Sequence, residues 1–109
     1  MCMKAAQSHK NKIVEILADQ YTAEKIILFG SHARGSATKH SDIDLVVIKK
    51  TKTPFLKRMR EVAKILSDAN VGQSADVLVY TPEEFDALSK RWNPFFHRIL
   101  KEGKIVYGK

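Results

Sequence analysis

Two apolar runs, the first ending at Gly30-Ser31 and the second opening with Asp42-Ile43-Asp44, constrain the fold of this chain more than any other feature. Each run is short and rich in Ile, Leu and Val, which is typical of buried strands, and we predict strands over 25–29 and 42–48. Side chains at positions i and i+2 of a strand point to the same face, with Cα atoms about 6.6 Å apart. Asp42 and Asp44 should therefore direct two carboxylates toward one place, beside the turn that follows the first strand.

Paired carboxylates beside a turn of small residues suit the binding of a metal–phosphate complex. Mg²⁺ typically binds through one or two carboxylates together with substrate phosphates. A short helix beginning at Ser31 would point free backbone N–H groups at an anion, and the Ser31 hydroxyl adds another donor. Two other phosphate-binding loops are excluded, because neither the Gly-Lys-Ser/Thr loop nor the Gly-x-Gly-x-x-Gly loop occurs in the sequence. The pattern indicates a site for phosphoryl or nucleotidyl transfer.

The same residues also have a structural interpretation. Gly30 would serve equally well to end a strand where the backbone needs a positive φ, and Asp42 and Asp44 would serve as solvent-facing residues at a strand edge. Two carboxylates on one strand face repel each other, however, so the pair is costly unless a cation lies between them. The position of the pair beside the turn favours the metal interpretation.

The motifs Gly30-Ser31, Ala33-Arg34-Gly35 and Ser41-Asp42-Ile43-Asp44-Leu45 resemble the signature of the nucleotidyltransferase superfamily that includes DNA polymerase beta. The small size is similar to that of the minimal nucleotidyltransferases of prokaryotes, many of which are antitoxins encoded beside a HEPN-domain partner. The ending Gly103-Lys104-Ile105-Val106-Tyr107 also resembles the terminal segment of the family. The resemblance covers nearly the whole chain, but only its Gly-Ser and Asp-x-Asp parts are specific.

This resemblance implies a third carboxylate on a later strand, and Asp76 opens a predicted strand over 76–80 at the corresponding place. The residues alone leave open that Asp76 merely ends a strand ladder, and that Arg34 merely adds surface charge. The resemblance implies a site with two Mg²⁺ ions and with ATP as the donor. The residues that would bind the metals and perform catalysis are Asp42, Asp44 and Asp76; those that would contact the nucleotide are Gly30, Ser31 and Arg34.

Size and charge limit the partners. The chain has 109 residues and a formal net charge of +7, and its length fits a single nucleotidyltransferase domain over 1–109. A basic surface suits nucleic acid or an acidic partner, or simply keeps the protein dispersed. The sequence has no run of five or more like charges, so a nucleic-acid tail is not indicated.

Cys2 is the only cysteine, so a disulfide framework is excluded. With no apolar stretch of about 18 residues and no signal-peptide pattern, we expect a cytoplasmic protein without membrane contact; a homo-oligomer stays open.

The order of elements predicts an α/β (α+β) fold, a small mixed sheet flanked by helices as in nucleotidyltransferases. We predict a helix over 5–20, a helical turn over 31–36, and a helix that Thr53 caps and Pro54 begins, ending near 69. A capping box of Thr81 and Glu84 should start the next helix, which ends near 90. A last helix begins at Pro94 and stops at Gly103, and a strand over 105–107 follows.

The main functional hypothesis is metal-dependent transfer of AMP from ATP to a hydroxyl group. The resemblance implies that this hydroxyl belongs to a HEPN-type toxin, which the transfer neutralises. One alternative is a non-catalytic antitoxin or nucleotide-binding partner that acts by contact alone. Another is a small-molecule nucleotidyltransferase, which we disfavour because no acceptor domain follows.

Overall fold

The computed structural model describes residues 2–30, 33, 35, 42–70, 75–91 and 93–108, with side chains in the first helix described from residue 11 onward. No helix in these ranges is both long and apolar enough to span a membrane. In chain order the elements are α1 (Cys2–Asp19), β1 (Lys25–Phe29), β2 (Ile43–Ile48), α2 (Phe55–Ala69), β3 (Ala75–Tyr80), α3 (Pro82–Lys90), α4 (Pro94–Glu102) and β4 (Lys104–Tyr107).

The four strands form one mixed sheet in the order β3-β2-β1-β4. Strand β1 lies antiparallel to both β2 and β4, whereas β2 and β3 run parallel. The crossover between the two parallel strands contains α2, as parallel pairing requires a connection of a dozen or more residues. The expected fold class, a small mixed sheet flanked by helices, is confirmed.

One face of the sheet carries the larger core. Helices α1 and α2 cover it, and Ile13, Leu17 and Val62 from these helices pack among buried strand residues that include Leu45 and Val47. These side chains follow the alternation of the strands, since every second residue of β2 points to this face. Burial of this apolar layer supplies the main stabilisation of the fold.

The opposite face carries a smaller cluster beneath α3 and α4. Its buried members are Ile27, Val46, Ile48 and Ile99, with Phe29, Leu78, Tyr80 and Phe85 packed against them. Alternation along β2 and β3 places Asp44 on this face with Val46, and Asp76 on it with Leu78. The candidate carboxylates therefore lie on the side of the sheet that the last two helices cover.

A buried arginine ties α2 to the start of α3. Arg58 is only 5% exposed, and its guanidinium donates to the Thr53 carbonyl at 2.7 Å and to both carboxylate oxygens of Glu84 at 2.6 and 3.2 Å. The hydrogen bond from Arg58 is the main reason why the pKa of Glu84 lies below its usual value. The same carboxylate accepts from the Thr81 backbone N–H, which completes the predicted capping box.

The structure corrects several expected boundaries. The strand over 25–29 is confirmed residue for residue, whereas β2 begins at Ile43, one residue later than expected. Thr53 does not cap α2: Pro54 occupies the cap position with ψ of 150°, and no side chain bonds the first turn. Pro lacks a side-chain acceptor, so Pro54 contributes its fixed φ and its carbonyl, which accepts from the Arg58 backbone N–H at 3.1 Å. The predicted turn over 31–36 lies mostly outside the described residues.

Candidate active site

The centre of the candidate site is a pair of aspartates on adjacent parallel strands. Asp44 of β2 and Asp76 of β3 are register partners, so their side chains leave the same face of the sheet side by side. Asp44 is half-buried and Asp76 is exposed. Like charges directly opposite each other on neighbouring strands are destabilising. A cation bound between the two carboxylates would relieve this repulsion.

Gly30 makes the space that the Asp44 side chain occupies. It follows β1 with φ of +76°, a conformation that glycine adopts without strain. A Cβ atom at this position would overlap the Oδ2 atom of Asp44. The backbone of the turn after β1 and the carboxylate of β2 are thus in close approach, as a site that binds phosphate and metal together requires.

Asp42 lies two residues before Asp44, just ahead of β2, and is exposed. Among the residues that the structure describes, no three His, Cys, Asp or Glu side chains form a ready-made metal site. The donor set nevertheless fits a hard cation, because all three candidate ligands are carboxylates and Mg²⁺ keeps several waters and substrate oxygens in its coordination sphere. Asp44 and Asp76 would provide the core of such a site, with Asp42 at its edge.

The other nucleotide-binding candidates, Ser31 and Arg34, lie outside the described residues. Two observations bear on their segment. The Ala33 backbone N–H donates to the Gly30 carbonyl at 3.1 Å, which closes a turn directly after β1. Ala33 itself is buried in the larger core.

Sequence reasoning missed an aromatic pair beside the carboxylates. Phe29 is the antiparallel register partner of Asp44, and the ring of Phe95 from α4 packs edge-on against the Phe29 ring, with centroids 5.7 Å apart. Phe96 is buried, with 4% of the residue exposed, whereas Phe95 is 43% exposed. The register of β1 with β2 places Phe29 beside Asp44, and the packing of α4 on the sheet places Phe95 against Phe29.

Comparison with known proteins matches residues 11–109 to the family model described as polymerase beta, nucleotidyltransferase. The chain therefore belongs to the polymerase beta-like nucleotidyltransferase family, and it is a nucleotidyltransferase. A protein of Methanocaldococcus jannaschii that carries a provisional name as a protein adenylyltransferase is 33% identical over 99 residues. The alignment covers 88% of this chain and 92% of that relative.

Solved structures extend the comparison. A chain from a toxin–antitoxin complex crystallised with AMP-PNP superposes with a TM-score of 0.65 at 25% identity, over 91% of this chain and 73% of that chain. A chain from a complex between a tri-AMPylated Shewanella oneidensis HEPN toxin and its MNT antitoxin superposes with a TM-score of 0.58. The superposition covers 94% of this chain and 72% of that chain. At 22% identity, this match shows a shared fold and nothing more. The expected resemblance to antitoxin-type nucleotidyltransferases is confirmed.

Proposed function

We propose that this nucleotidyltransferase transfers AMP from Mg²⁺-bound ATP to a hydroxyl group on a HEPN-type partner protein, and thereby neutralises that partner. The single observation that carries the catalytic part is the register pairing of Asp44 with Asp76 against the turn at Gly30. Two strands contribute one carboxylate each to the same face, within reach of a turn that follows a third strand. Metal and phosphate would meet between them.

In the proposed reaction the acceptor oxygen attacks the α-phosphorus of ATP. A new P–O bond forms to the acceptor, the bond from the α-phosphorus to the β-phosphate oxygen breaks, and pyrophosphate leaves while the acceptor proton passes to solvent. Asp42 and Asp44 would hold metal at the triphosphate, and Asp76 would hold metal at the acceptor oxygen. When bound, Mg²⁺ would neutralise phosphate charge and favour deprotonation of the acceptor. The Gly30 backbone, Ser31 and Arg34 would orient the leaving pyrophosphate.

The identity of the acceptor rests on sequence resemblance, a structural neighbour and net charge. The motifs around Gly30 and Asp42 resemble those of antitoxins that are encoded beside HEPN-domain partners, and the neighbour at 25% identity is part of a toxin–antitoxin complex with a nucleotide analogue. The net charge of +7 also suits an acidic protein surface.

Positional labelling tests this function. The protein is incubated with Mg²⁺, a HEPN-type protein as the proposed partner, and ATP labelled at either the α- or the γ-phosphate. We expect label on the partner from α-labelled ATP only, together with release of pyrophosphate. Label from the γ-position would instead indicate phosphoryl transfer and would contradict the proposal.

The second candidate function is neutralisation of the partner by contact alone, without catalysis. It is supported by one observation: among the described residues, no three carboxylates are already grouped as a metal site. A contact-only antitoxin should neutralise its partner without ATP and without labelling it. A comparison of partner activity with and without ATP and Mg²⁺ therefore separates the two candidates in one assay.

A further inference from the structure

Three side chains form a row across the sheet beside the turn at Gly30. Asp76, Asp44 and Phe29 are successive register partners on β3, β2 and β1, and all three leave the same face. Neighbouring strands lie about 4.8 Å apart, so the Phe29 ring is one strand away from the Asp44 carboxylate. The row changes from anionic at Asp76 and Asp44 to aromatic at Phe29.

The ring of Phe95 extends this aromatic end toward solvent. It contacts the rings of Phe29 and Phe96 edge-on, each at a centroid distance of 5.7 Å, and yet 43% of the residue is exposed. Asn93 caps α4 by accepting from the backbone N–H groups of Phe95 and Phe96, which fixes the first turn of the helix. Phe95 therefore packs against two rings of the fold and still presents an open surface to solvent.

We propose that Phe95, supported by Phe29, is the surface on which the nucleobase of the donor nucleotide stacks. This inference rests on the proposed function, because it takes the triphosphate to lie at Gly30 and the aspartates. A bound nucleotide whose phosphates lie there has its base free to extend along the row toward Phe29 and Phe95. Among the exposed large apolar side chains that the structure describes, only Phe95 makes a ring contact with a register partner of Asp44.

The chemistry of the two ends of the row suits the two ends of a nucleotide. Carboxylates bind the phosphates through a cation, whereas an aromatic face binds any base through stacking, with little discrimination between bases. Phe95 would accordingly raise affinity for the nucleoside part of the donor and contribute little to the choice among bases.

Binding of ATP and of inorganic tripolyphosphate, each with Mg²⁺, tests the assignment. Tripolyphosphate keeps the phosphate chain and lacks the base. Phe95→Ala should weaken ATP binding about 5- to 150-fold, as expected for the loss of one stacked base, and should leave tripolyphosphate binding unchanged. Phe95→Leu keeps apolar packing against Phe29 but lacks the aromatic face, so it should lose ATP affinity as well, while Phe95→Tyr should retain it.

Phe55→Ala is the matched control. Phe55 is 37% exposed and packs on one aromatic ring, that of Tyr80, at the opposite end of β3 from Asp76. This variant should bind both ligands as the wild type does. It reports what the loss of a half-exposed aromatic ring does to the fold in general.

Each outcome has a defined meaning. Unchanged ATP affinity in Phe95→Leu and Phe95→Ala would overturn the stacking assignment. If those variants bind ATP normally but fail to label the partner, Phe95 contacts the acceptor protein instead, and the assignment is again overturned. Equal losses for ATP and tripolyphosphate would show a general disturbance of the site and would also contradict it. Failure of the wild type to bind either ligand would reject the proposed function itself, which distinguishes that failure from failure of the stacking assignment.

Discussion

The α-carbon of Gly30 lies against the carboxylate of Asp44, so closely that a methyl group on residue 30 would overlap Oδ2. Gly30 also has φ of +76°. Gly30→Ala should therefore displace the Asp44 side chain and strain the backbone at the same time. We expect nucleotidyl transfer to fall about 10²- to 10³-fold and stability by about 1–2 kcal/mol. Initial rates and denaturant titrations measure the two effects.

Gly35→Ala is the control for backbone strain. Gly35 has nearly the same φ, +77°, but a Cβ there would meet no atom within 4 Å. It should lose similar stability and much less activity than Gly30→Ala. Equal losses of activity in the two variants would show that strain, and not displacement of Asp44, explains the effect.

Asp44 and Asp76 should contribute differently to ATP binding and to nucleotidyl transfer. Asp44 lies against the turn at Gly30, whereas Asp76 lies one strand farther away and is more exposed. Asp76→Asn should retain binding of Mg²⁺–ATP yet lose transfer, and Asp44→Asn should impair both. We expect rate losses of about 10²- to 10³-fold or more.

Asp68→Asn removes an exposed carboxylate from α2 and should behave as the wild type in both assays. Titration calorimetry and transfer rates separate binding from chemistry. If Asp76→Asn loses ATP as completely as Asp44→Asn does, the division between a triphosphate side and an acceptor side is wrong.

Ser31 should act on the triphosphate more than on the fold. Its hydroxyl is assigned to a phosphate oxygen, and one hydrogen bond to a charged group contributes about 1.5–3 kcal/mol. Ser31→Ala should thus weaken ATP affinity roughly 10- to 100-fold, with Ser67→Ala on α2 as the control. Calorimetry that finds the wild-type affinity in Ser31→Ala would remove Ser31 from the site.

Much of the fold could be predicted from local sequence signals. The Ile- and Leu-rich run over 25–29 specified β1 to the residue, and the Thr81-Glu84 pair specified the start of α3. Both signals are local, since they depend on neighbours within a few positions. Thr53 was wrongly predicted as the cap of α2, with Pro54 as its first helical residue, because Thr-Pro also fits an extended segment before a helix.

The carboxylates of the candidate site could be predicted, Asp42 and Asp44 from their spacing and Asp76 from the family resemblance, but the contacts around them could not. The Asp-x-Asp spacing indicated a carboxylate pair on one strand, and its position beside Gly30 indicated phosphate chemistry. The contact of Gly30 with Asp44, and the row of Asp76, Asp44 and Phe29, depend on the registers of three strands. Register follows from packing of the whole sheet against its helices, and no motif in the sequence encodes it.

Glu84 makes the fold sensitive to acid. Its pKa is lowered from 4.5, chiefly by the hydrogen bond from Arg58, so the stabilisation it gives is present above the unfolded-state pKa and is lost as pH falls through the lower folded-state pKa. Glu84→Gln should be less stable than the wild type near neutral pH, by about 1 kcal/mol because the carboxylate is partly solvated.

The stability difference between wild type and Glu84→Gln should shrink as the pH falls below about 4.5. Urea titrations across this range measure it, and Glu83→Gln, which removes the neighbouring exposed carboxylate, is the control. A difference that stays constant with pH would contradict the assigned ion pair.

Intact-mass spectrometry of the HEPN-type partner, after incubation with ATP, Mg²⁺ and either the wild-type protein or Asp44→Asn, tests AMP transfer most directly. We expect the wild type to add the mass of one or more AMP groups to the partner. Asp44→Asn should add none, although its circular dichroism spectrum shows a folded protein. A partner that is inactivated by both proteins without any gain in mass would contradict the proposed AMP transfer, because neutralisation would then need neither transfer nor the Asp44 carboxylate.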